Sequence, residues 1–548
     1  MNFKRKLWWA QHKNDVYKYS TFILLFLVVT ISIIYFTYSK FSSSNEFTVY
    51  ETTVDPFIKN DYFIASYIDG EWSNEIPGKN DGYIVDKIVC DNGATGTWNY
   101  SKWSIEIENA TKKTKCSLFF VMGSLIDVEL YQGLIPVTYN SSGDVVVADT
   151  NTKWYDYSNH EWANAVLVNC ADSTIKSKYF NDDMSLKSSA VGSTISMDEI
   201  LQMYVYIPRY RYKLFNANNG TSNEHAIDII FEKVGTEKSN GTENGEWLTH
   251  PAFTFGNTEL PGIWVGKFEA SGTTDNYTIK PNLKSLTNIN ISTMFNTSRD
   301  VTNTKTITYG TDSNTSDSHM MKNMEWGAVA YLTNSIYGRY NDASTCIASG
   351  CEVWINNINT GYGNGTAVSG QPQWGPSITG CAGTSTSAGV SSSHTACASG
   401  YDWKTKGVNA STTGNQYGIY DMSGGAWEYV MGVQKDSSGN VQVGSSGFST
   451  SSLPDSKYYD LYDYQAEDGV GYTRYHLGDA TREVLKNTSS QGGNAWWSDY
   501  SYNIYSSAPW VDRGGGYYGG SCAGVFHFSR NNGRSDTGDS FRSVLTAN

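Results

Sequence analysis

The uncharged apolar run from Phe22 to Tyr38 is the feature that most constrains the organisation of this chain. As a helix it would span roughly 26 Å at about 1.5 Å per residue, which nearly matches the hydrocarbon core of a bilayer. Basic residues precede it: Lys4, Arg5, Lys6, Lys13 and Lys18. The positive-inside rule therefore predicts a cytoplasmic tail over residues 1–19, a transmembrane anchor over residues 20–38 and an extracytoplasmic remainder.

A cleaved signal peptide is the alternative interpretation of the same run. The apolar region of a signal peptide covers about 7 to 15 residues and ends at a small-x-small cleavage pattern. The run is longer than that, and Tyr38-Ser39-Lys40-Phe41 lacks the pattern. We therefore expect an uncleaved anchor and a single-pass protein of the cell membrane.

The cysteines of an exported chain predict disulfides. Of the eight cysteines, six form pairs that are close in sequence: Cys90 with Cys116, Cys346 with Cys351, and Cys381 with Cys397. Cys170 and Cys522 are left over. No CxxC spacing occurs and no histidine stands at ligand spacing beside a pair, so we predict no zinc site. We assign no metal ligand and no cofactor; calcium stays open, because loops rich in Asp and Asn could hold it, although there is no EF-hand pattern.

Charge and composition narrow the class of partner. The formal net charge of -14 argues against nucleic acid, because Lys and Arg side chains supply the affinity for phosphates. Aromatic residues make up 14% of the chain, which is also rich in Gly, Ser, Thr and Asn. This composition favours a β-rich, loop-rich surface protein.

Turn signals and short β-type runs divide the chain into segments. Residues 45–125 are predicted to form a β-sandwich-like domain, residues 126–200 a β-rich connector, and residues 204–548 a C-terminal domain. Ser196–Leu201 has an N-cap residue and an acidic first turn, which predicts a short helix before the C-terminal domain.

Four segments of the C-terminal domain carry motifs in a fixed order: Gly262–Ala270, Met324–Tyr331, Asn415–Tyr429, and Arg513–Gly516 with Ser540–Arg542. The third reads NQYGIYDMSGGAWEY, which is similar to N-x-x-G-L-x-D-M-x-G-N-V-W-E-W. Together they resemble the formylglycine-generating-enzyme and sulfatase-modifying-factor family, a variant of the C-type lectin fold. The second segment resembles the amphipathic helix of that family, with Trp326, Val329 and Ala330 on one side at helical spacing. The resemblance covers roughly residues 204–548. It implies an α+β class, with a lectin-type domain behind a β-rich stalk and one transmembrane helix.

The chemistry of that family is not matched. Its oxidase members use two cysteines just after the Arg-Gly-Gly strand to bind copper, whereas here only Cys522 follows Arg513. A lone thiolate cannot form a bis-thiolate site. The iron-dependent relatives need three histidines, and the eight histidines here are scattered. We therefore expect no enzyme activity and assign no catalytic residue.

The charged residues of the motifs have structural interpretations. Asp421 and Glu428 could form an acid–base pair, but the glycines around them predict tight turns that pack Trp427 into the core while the carboxylates accept from backbone amides. Arg513 and Arg542 are expected to partner buried carboxylates or carbonyls, because guanidinium supplies a rigid fork of donors.

The end of the chain has a biased composition. From Arg513 to Asn548 there is no Lys, Glu, Gln, Met or Trp, the five residues that an AAY codon cannot reach when its adenines are substituted. The reachable types occupy Gly516, Tyr518, Gly519, Cys522, His527, Ser529, Arg530, Asn531, Asn532, Arg534, Asp536, Thr537 and Asp539. Between them stand residues of scaffold type: Ala523, Gly524, Val525, Phe526, Phe528, Gly533 and Phe541.

This pattern resembles the variable region of diversity-generating-retroelement target proteins, here over residues 513–542. It predicts that the thirteen positions form a ligand-binding face. The expected function is a cell-surface receptor or adhesin for an unknown ligand, a protein or glycan on another cell or phage. Three alternatives remain open: a Gly/Ser/Asn-rich tail whose missing residues reflect local composition, an oxidase-like enzyme with displaced cysteines, and an envelope protein without a ligand.

Overall fold

The computed structural model describes residues 63–68, 70–73, 75–76, 83–99, 104–110, 114–122, 126–235, 238–356, 362–363, 366–367, 375–381, 397 and 402–548. The predicted cytoplasmic tail, residues 1–19, and the predicted anchor, residues 20–38, lie outside these ranges.

Strands make up most of the regular structure. The first half of the chain contains β1 (Phe63–Ile68), β2 (Glu71–Trp72), β3 (Tyr83–Cys90), β4 (Thr95–Asn99), β5 (Ser104–Glu108), β6 (Lys115–Met122), β7 (Ile135–Tyr139), β8 (Val145–Val147), β9 (Asn164–Val168), β10 (Ile200–Pro208), β11 (Tyr210–Lys213), β12 (Ile229–Phe231), β13 (Trp247–Thr249), β14 (Thr254–Phe255), β15 (Thr258–Glu259), β16 (Gly262–Gly266), β17 (Ser271–Gly272) and β18 (Tyr277–Thr278). The second half contains β19 (Ser316–Met320), β20 (Tyr362–Gly363), β21 (Thr366–Ala367), β22 (Trp427–Gln434), β23 (Asp460–Tyr462), β24 (Trp510–Arg513), β25 (Phe528–Asn531), β26 (Asp539–Phe541) and β27 (Ser543–Ala547).

The helices of the described part are short. The α-helices are α1 (Ser173–Tyr179), α2 (Ile291–Asp300), α3 (Thr306–Tyr309) and α4 (Asn323–Thr333). Single 3-10 turns occur at Tyr157–Asn159, Ser188–Ala190, Pro251–Phe253, Lys406–Ala410, Ser456–Tyr458, Tyr472–Arg474, Arg482–Val484, Trp496–Ser498 and Gly520–Cys522. The helix predicted within Met324–Tyr331 is confirmed by α4. The helix predicted at Ser196–Leu201 is wrong, because a turn there runs directly into β10.

The predicted α+β class is wrong. The described residues are mostly β-sheet with few helices. Long segments rich in Gly, Ser, Asn and Thr connect the strands, and these residues favour turns because their side chains compete for backbone hydrogen bonds or lack a Cβ. The chain therefore has few stretches with the period of 3.6 residues that a packed helix requires.

The prediction of a single-pass membrane protein is corrected as well. Within the described ranges, no helix combines the length and the apolar character that crossing a bilayer requires.

Residues 63–122 contain a small antiparallel sheet in the order β2-β1-β6-β3, with the hairpin β4–β5 beside it. Its own apolar cluster includes Val85, Trp98, Leu118 and Phe120, with the Trp98 and Phe120 rings in an edge-to-face contact at 5.4 Å. A disulfide joins the paired Cys90 and Cys116 across β3 and β6.

The largest sheet has the order β19-β27-β16-β10-β9-β7-β8. Strand β27, the last of the chain, lies between β16 and β19 and is antiparallel to both. Residues 135–168, within the predicted connector, supply β7, β8 and β9 to this same sheet. Both ends of the C-terminal domain are therefore held in one layer.

A second sheet has the order β23-β22-β24-β25, and β26 also pairs with β22. Strand β22 is parallel to β26 at one end and to β23 at the other, and antiparallel to β24 along the opposite edge. Because β26 and β27 are separated only by Arg542, the two sheets meet at that residue.

All three predicted disulfides are confirmed: Cys90–Cys116, Cys346–Cys351 and Cys381–Cys397. Cys170 and Cys522 remain thiols, the first buried and the second half-buried. Burial raises the pKa of Cys170 to about 11.

Candidate ligand-binding face

Arg542 joins three of the four motif segments in the core. Its Nη1 atom donates to the Gly266 carbonyl oxygen at 2.6 Å, and Nη2 donates to the Tyr420 carbonyl oxygen at 2.9 Å. Nε and Nη2 also donate to the two carboxylate oxygens of Glu428, at 3.1 and 2.6 Å. Arg542 and Glu428 are both fully buried. The predicted role of Arg542, as a partner of buried carboxylates and carbonyls, is confirmed.

The remaining motif segment, helix α4, contacts the Arg-Gly-Gly strand through Trp326. The Trp326 indole donates to the Val525 carbonyl oxygen at 2.8 Å, and the guanidinium of Arg513 lies 5.5 Å from the Trp326 ring. Arg513 donates to the Ala480 carbonyl oxygen at 3.1 Å, which confirms its predicted role. The four segments therefore form one buried assembly.

Two more carboxylates, those of Glu269 and Asp421, lie beside the Arg542–Glu428 ion pair. Glu269 accepts from the Ala426 amide at 2.9 Å and from the Ser377 hydroxyl at 3.1 Å. Asp421 accepts from the Gly380 amide at 2.8 Å and from the Asn356 side chain at 2.7 Å. The carboxylates thus satisfy buried donors, as predicted for Asp421, and do not face solvent.

The buried assembly contains more carboxyl groups than cations, and the pKa values of its carboxyl groups are raised. Burial raises the pKa of Glu269 well above its ordinary value, and the nearby charges of Asp421 and Glu428 raise it further. Burial likewise raises the pKa of Glu428 to about 7, although Arg542 opposes the shift. The Glu269 carboxyl therefore gives up its proton at a higher pH than an ordinary glutamic acid.

One surface of the second sheet carries polar and aromatic side chains next to this assembly. Paired residues and residues two apart share a face of a sheet. Tyr429 is paired with Asp512, Asp512 with Ser529, and Trp427 with Asp539. We call the following set the C-terminal face, in which Tyr429, Asp512 and Asp539 are buried and the other residues are half-buried: Trp427, Tyr429, Asp512, Tyr518, Ser529, Asn531, Asp536 and Asp539.

The aromatic part of the face is formed by Trp427 and Tyr518, whose rings meet edge to face at 5.1 Å. Trp427 is half-buried, so the prediction that it packs into the core is wrong. The turn before it explains the placement: Gly425 has φ +77°, and a Cβ there would come within 2.0 Å of Glu269 Oε1. The turn seats Glu269 beneath the strand and leaves the indole at the surface.

The acidic part of the face is formed by three carboxyl groups. Asn531 donates to Asp539 at 2.8 Å, and Arg534 forms an ion pair with Asp536 at 3.2 Å. Burial raises the pKa of Asp512 to about 7 and that of Asp539 well above its ordinary value. No group of His, Cys, Asp and Glu in the described part of the chain has the arrangement of a metal site. The half-buried side chains of the face, Trp427, Tyr518, Ser529, Asn531 and Asp536, offer rings and hydrogen-bonding groups for noncovalent recognition.

The thirteen sequence-predicted contact residues are divided by burial. Gly516, His527 and Asp539 are buried, and Arg534 and Thr537 are exposed. The other eight are half-buried: Tyr518, Gly519, Cys522, Ser529, Arg530, Asn531, Asn532 and Asp536.

The interleaved scaffold residues show the opposite behaviour. All seven are buried: Ala523, Gly524, Val525, Phe526, Phe528, Gly533 and Phe541. Gly533 has φ +85°, and a Cβ there would come within 2.8 Å of the Ser446 Cβ. The alternation of fixed and accessible positions along residues 516–541 is therefore built into the packing.

Arg530 is the most heavily contacted of the thirteen. Its guanidinium lies over the rings of Tyr502 and Tyr505, at 4.8 and 5.0 Å. It also forms an ion pair with Asp468 at 2.5 Å and donates to the Gln491 side chain at 3.0 Å. Sequence reasoning missed these partners, although the aromatic-rich run from Trp496 to Tyr505 was visible as a composition signal.

Cys522 lies at the edge of the face without a second thiol. The Tyr500 hydroxyl forms a hydrogen bond with the Cys522 side chain. His527 Nδ1 donates to the Cys522 carbonyl oxygen at 2.8 Å, and burial lowers the pKa of His527 to about 4. The imidazole is therefore neutral at physiological pH and is occupied in holding the turn.

Neither the family models nor the curated proteins compared with this chain give a match. The likeness of the four segments to the formylglycine-generating-enzyme family therefore stays an inference from the motifs.

The titration of Glu269 can be tested by Glu269→Gln. Gln can accept from the Ala426 amide and donate to Ser377, so it imitates the protonated acid. Wild-type unfolding releases the Glu269 proton, and the free energy of unfolding therefore falls as pH rises above the ordinary Glu pKa of 4.5. As pH rises, the free energy of unfolding of the variant should increase relative to that of wild type by up to about 1.4 kcal/mol per pH unit. Chemical denaturation at pH 5 and pH 8 measures this difference.

The exposed Glu467→Gln is the matched control and should give the same difference at both pH values. An equal effect of Glu269→Gln at pH 5 and pH 8 would show that Glu269 is ionised in the folded protein.

Because the thirteen positions differ in burial, we expect them to differ in how well they tolerate substitution. Arg530→Ser removes a half-buried guanidinium that holds three loops and should lower the free energy of unfolding by about 1–3 kcal/mol. Arg534→Ser removes an exposed ion pair and should change it by at most about 0.5 kcal/mol. Thermal and chemical denaturation compare the two variants. Equal effects would contradict the assigned contacts of Arg530.

Proposed function

We propose that this chain is a ligand-binding protein whose residues 513–542 present interchangeable side chains on a lectin-type frame of the formylglycine-generating kind. The observation that carries the proposal is the burial pattern: the seven scaffold positions are buried, while ten of the thirteen intervening positions are half-buried or exposed. A binding surface can change its specificity when its side chains vary over a fixed backbone.

The buried assembly around Arg542 supports the frame. Arg542 holds Gly266, Tyr420 and Glu428 together, and Trp326 joins helix α4 to the segment that precedes β25. These contacts depend on residues outside the interchangeable set. Substitutions at the accessible positions can therefore leave the frame intact.

The residue types of the face suit recognition of a macromolecular surface. Tyr and Trp provide large contact areas with few rotatable bonds, and Ser, Asn and Asp supply adaptable hydrogen bonds. Trp427 and Tyr518 provide the aromatic contribution, with Ser529 and Asn531 beside them. The expected ligand is therefore a protein or a glycan, and not a nucleic acid.

An oxidase-like enzyme remains the alternative. It would need a second thiol close to Cys522, but the only other free cysteine of the described part is the buried Cys170 on the segment after β9. Oxidation of a peptidyl cysteine by the purified protein would favour this alternative over ligand binding.

DNA sequencing of the last forty or so codons, across cells of one population, tests whether the face varies. We expect adenine-directed substitutions confined to Gly516–Asp539, with a near-copy repeat and a reverse-transcriptase gene nearby. An invariant segment without a repeat would contradict the diversified face and leave a fixed-specificity binding protein.

A display library tests the binding function itself. Tyr518, Asn532, Arg534 and Thr537 are randomised, and the library is selected against panels of proteins and glycans. Selected variants should differ from one another in ligand preference while keeping the wild-type melting temperature.

The matched control randomises exposed residues distant in sequence, such as Thr273 and Asn276 in the turn between β17 and β18. If both libraries gave the same preferences, residues 516–539 would not determine binding.

A further inference from the structure

A cavity separate from the C-terminal face lies at the edge of the seven-stranded sheet, among residues 138–161. The cavity has a volume of ≈ 250 Å³ and is lined by Thr138, Ala148, Asp149, Thr152, Lys153, Trp154, Tyr155, Asp156 and Glu161. None of these residues belongs to the C-terminal face. At this size the cavity can accept a single side chain or another small group.

A tight loop holds two of the lining carboxylates opposite each other. Asp156 and Glu161 exchange both backbone hydrogen bonds, at 2.7 and 2.9 Å, around the 3-10 turn Tyr157–Asn159. The Asp156 side chain accepts from the Ser158 amide at 3.1 Å and from Asn159 at 3.0 Å. The two carboxylates are therefore placed before any ligand arrives.

The charges of the lining are not balanced. Lys153 forms an ion pair with Asp156 at 2.6 Å. Asp149 uses its Oδ1 atom to accept two bonds from Asn151, both at 3.0 Å. Within the described residues neither Asp149 nor Glu161 forms an ion pair, and both are half-buried, although the charge of Lys153 also acts on Glu161. Two carboxylates thus face the cavity with acceptor capacity and negative charge to spare.

The Trp154 indole gives the cavity an aromatic wall. It meets the Tyr155 ring edge to face at 5.3 Å, and the Tyr155 hydroxyl donates to the Ile126 carbonyl oxygen at 3.3 Å, so the wall is fixed. The negative face of an indole attracts a cation, and a carboxylate strengthens the attraction by accepting charged hydrogen bonds. A neutral polyol would leave the charges of Asp149 and Glu161 uncompensated.

We propose that this cavity binds an alkyl ammonium group against Trp154, Asp149 and Glu161, as carried by a lysine side chain of a peptide. Burial and the nearby Asp156 charge raise the pKa of Glu161, the Lys153 charge opposes the shift, and an incoming cation would oppose it further. The site is independent of the C-terminal face and of what that face binds.

Ligand-observed saturation-transfer NMR on the full chain tests the proposal. The probes are Nα-acetyl-lysine methylamide, its neutral isostere Nα-acetyl-norleucine methylamide, spermidine and methyl glucoside. We expect transfer to the lysine probe, weakened by added salt, and none to norleucine or the glucoside. Stronger transfer to spermidine than to the lysine probe would assign the cavity to a free polyamine and overturn the peptide assignment.

Variants locate the binding. Glu161→Gln and Asp149→Asn keep the shapes of the side chains and should each weaken lysine-probe binding by at least about tenfold. Trp154→Ala should abolish it. The control Asp275→Asn removes a carboxylate from an exposed turn and should leave binding unchanged.

Equal binding of the lysine and norleucine probes, binding of the glucoside alone, or lysine binding unaffected by Glu161→Gln would overturn the proposal. Variants at Tyr518 or Arg534 should not affect this assay, so failure here is distinguishable from failure of the C-terminal face.

Discussion

The buried ion pair between Arg542 and Glu428 is the interaction on which the rest of the fold depends. Arg542 stands between β26 and β27. The strand before it pairs in the sheet of β22, and the strand after it pairs in the seven-stranded sheet. Its donors also hold Gly266 of β16 and the Tyr420 carbonyl. Loss of either partner would leave a buried charge uncompensated, which costs about 3–5 kcal/mol. The Arg542–Glu428 pair therefore helps to keep the surface of β22, β24 and β25 rigid.

The same core carries more acid than base, and this sets the pH range of stability. Burial raises the pKa of Glu483 to about 7, and the carboxylates of Glu325 and Asp317 raise that of His319 against the effect of burial. Both groups hold protons in the folded state that the unfolded state would release, so stability falls as pH rises through neutrality. Asp317 acts oppositely, since its pKa is lowered to about 2 and its contribution is lost only in strong acid. The buried His527 acts in the same direction as Asp317, because burial lowers its pKa to about 4 and its contribution is lost as pH falls below the ordinary His value of 6.5. The two sets of groups therefore limit stability from the alkaline and from the acidic side.

The sequence predicted local features better than the tertiary ones. The disulfide pairs and helix α4 were predictable because short loops limit cysteine partners and helical spacing marks Trp326. The predominance of β-structure over the expected α+β class was missed, since short strands between Gly- and Asn-rich loops carry little periodicity. Trp427 was misplaced because apolar character alone does not decide on which side of a strand a ring lies. The partners of Arg530 were missed because Asp468 and Gln491 are distant in sequence.

Arg530, His527 and Asp539 show how the frame limits variation on such a face. A mutational process that acts on codons does not distinguish accessible positions from buried ones, yet His527 fixes the turn at Cys522 and Asp539 holds Asn531. Changes at these positions would reduce stability, whereas changes at the exposed Arg534 and Thr537 should have little effect on it. On the proposed diversified face, substitutions compatible with folding should therefore concentrate at Tyr518, Asn532, Arg534 and Thr537. Within residues 204–548 the frame is held by the buried ion pair and by two disulfides, Cys346–Cys351 and Cys381–Cys397, and stability in excess of what folding requires makes such losses tolerable.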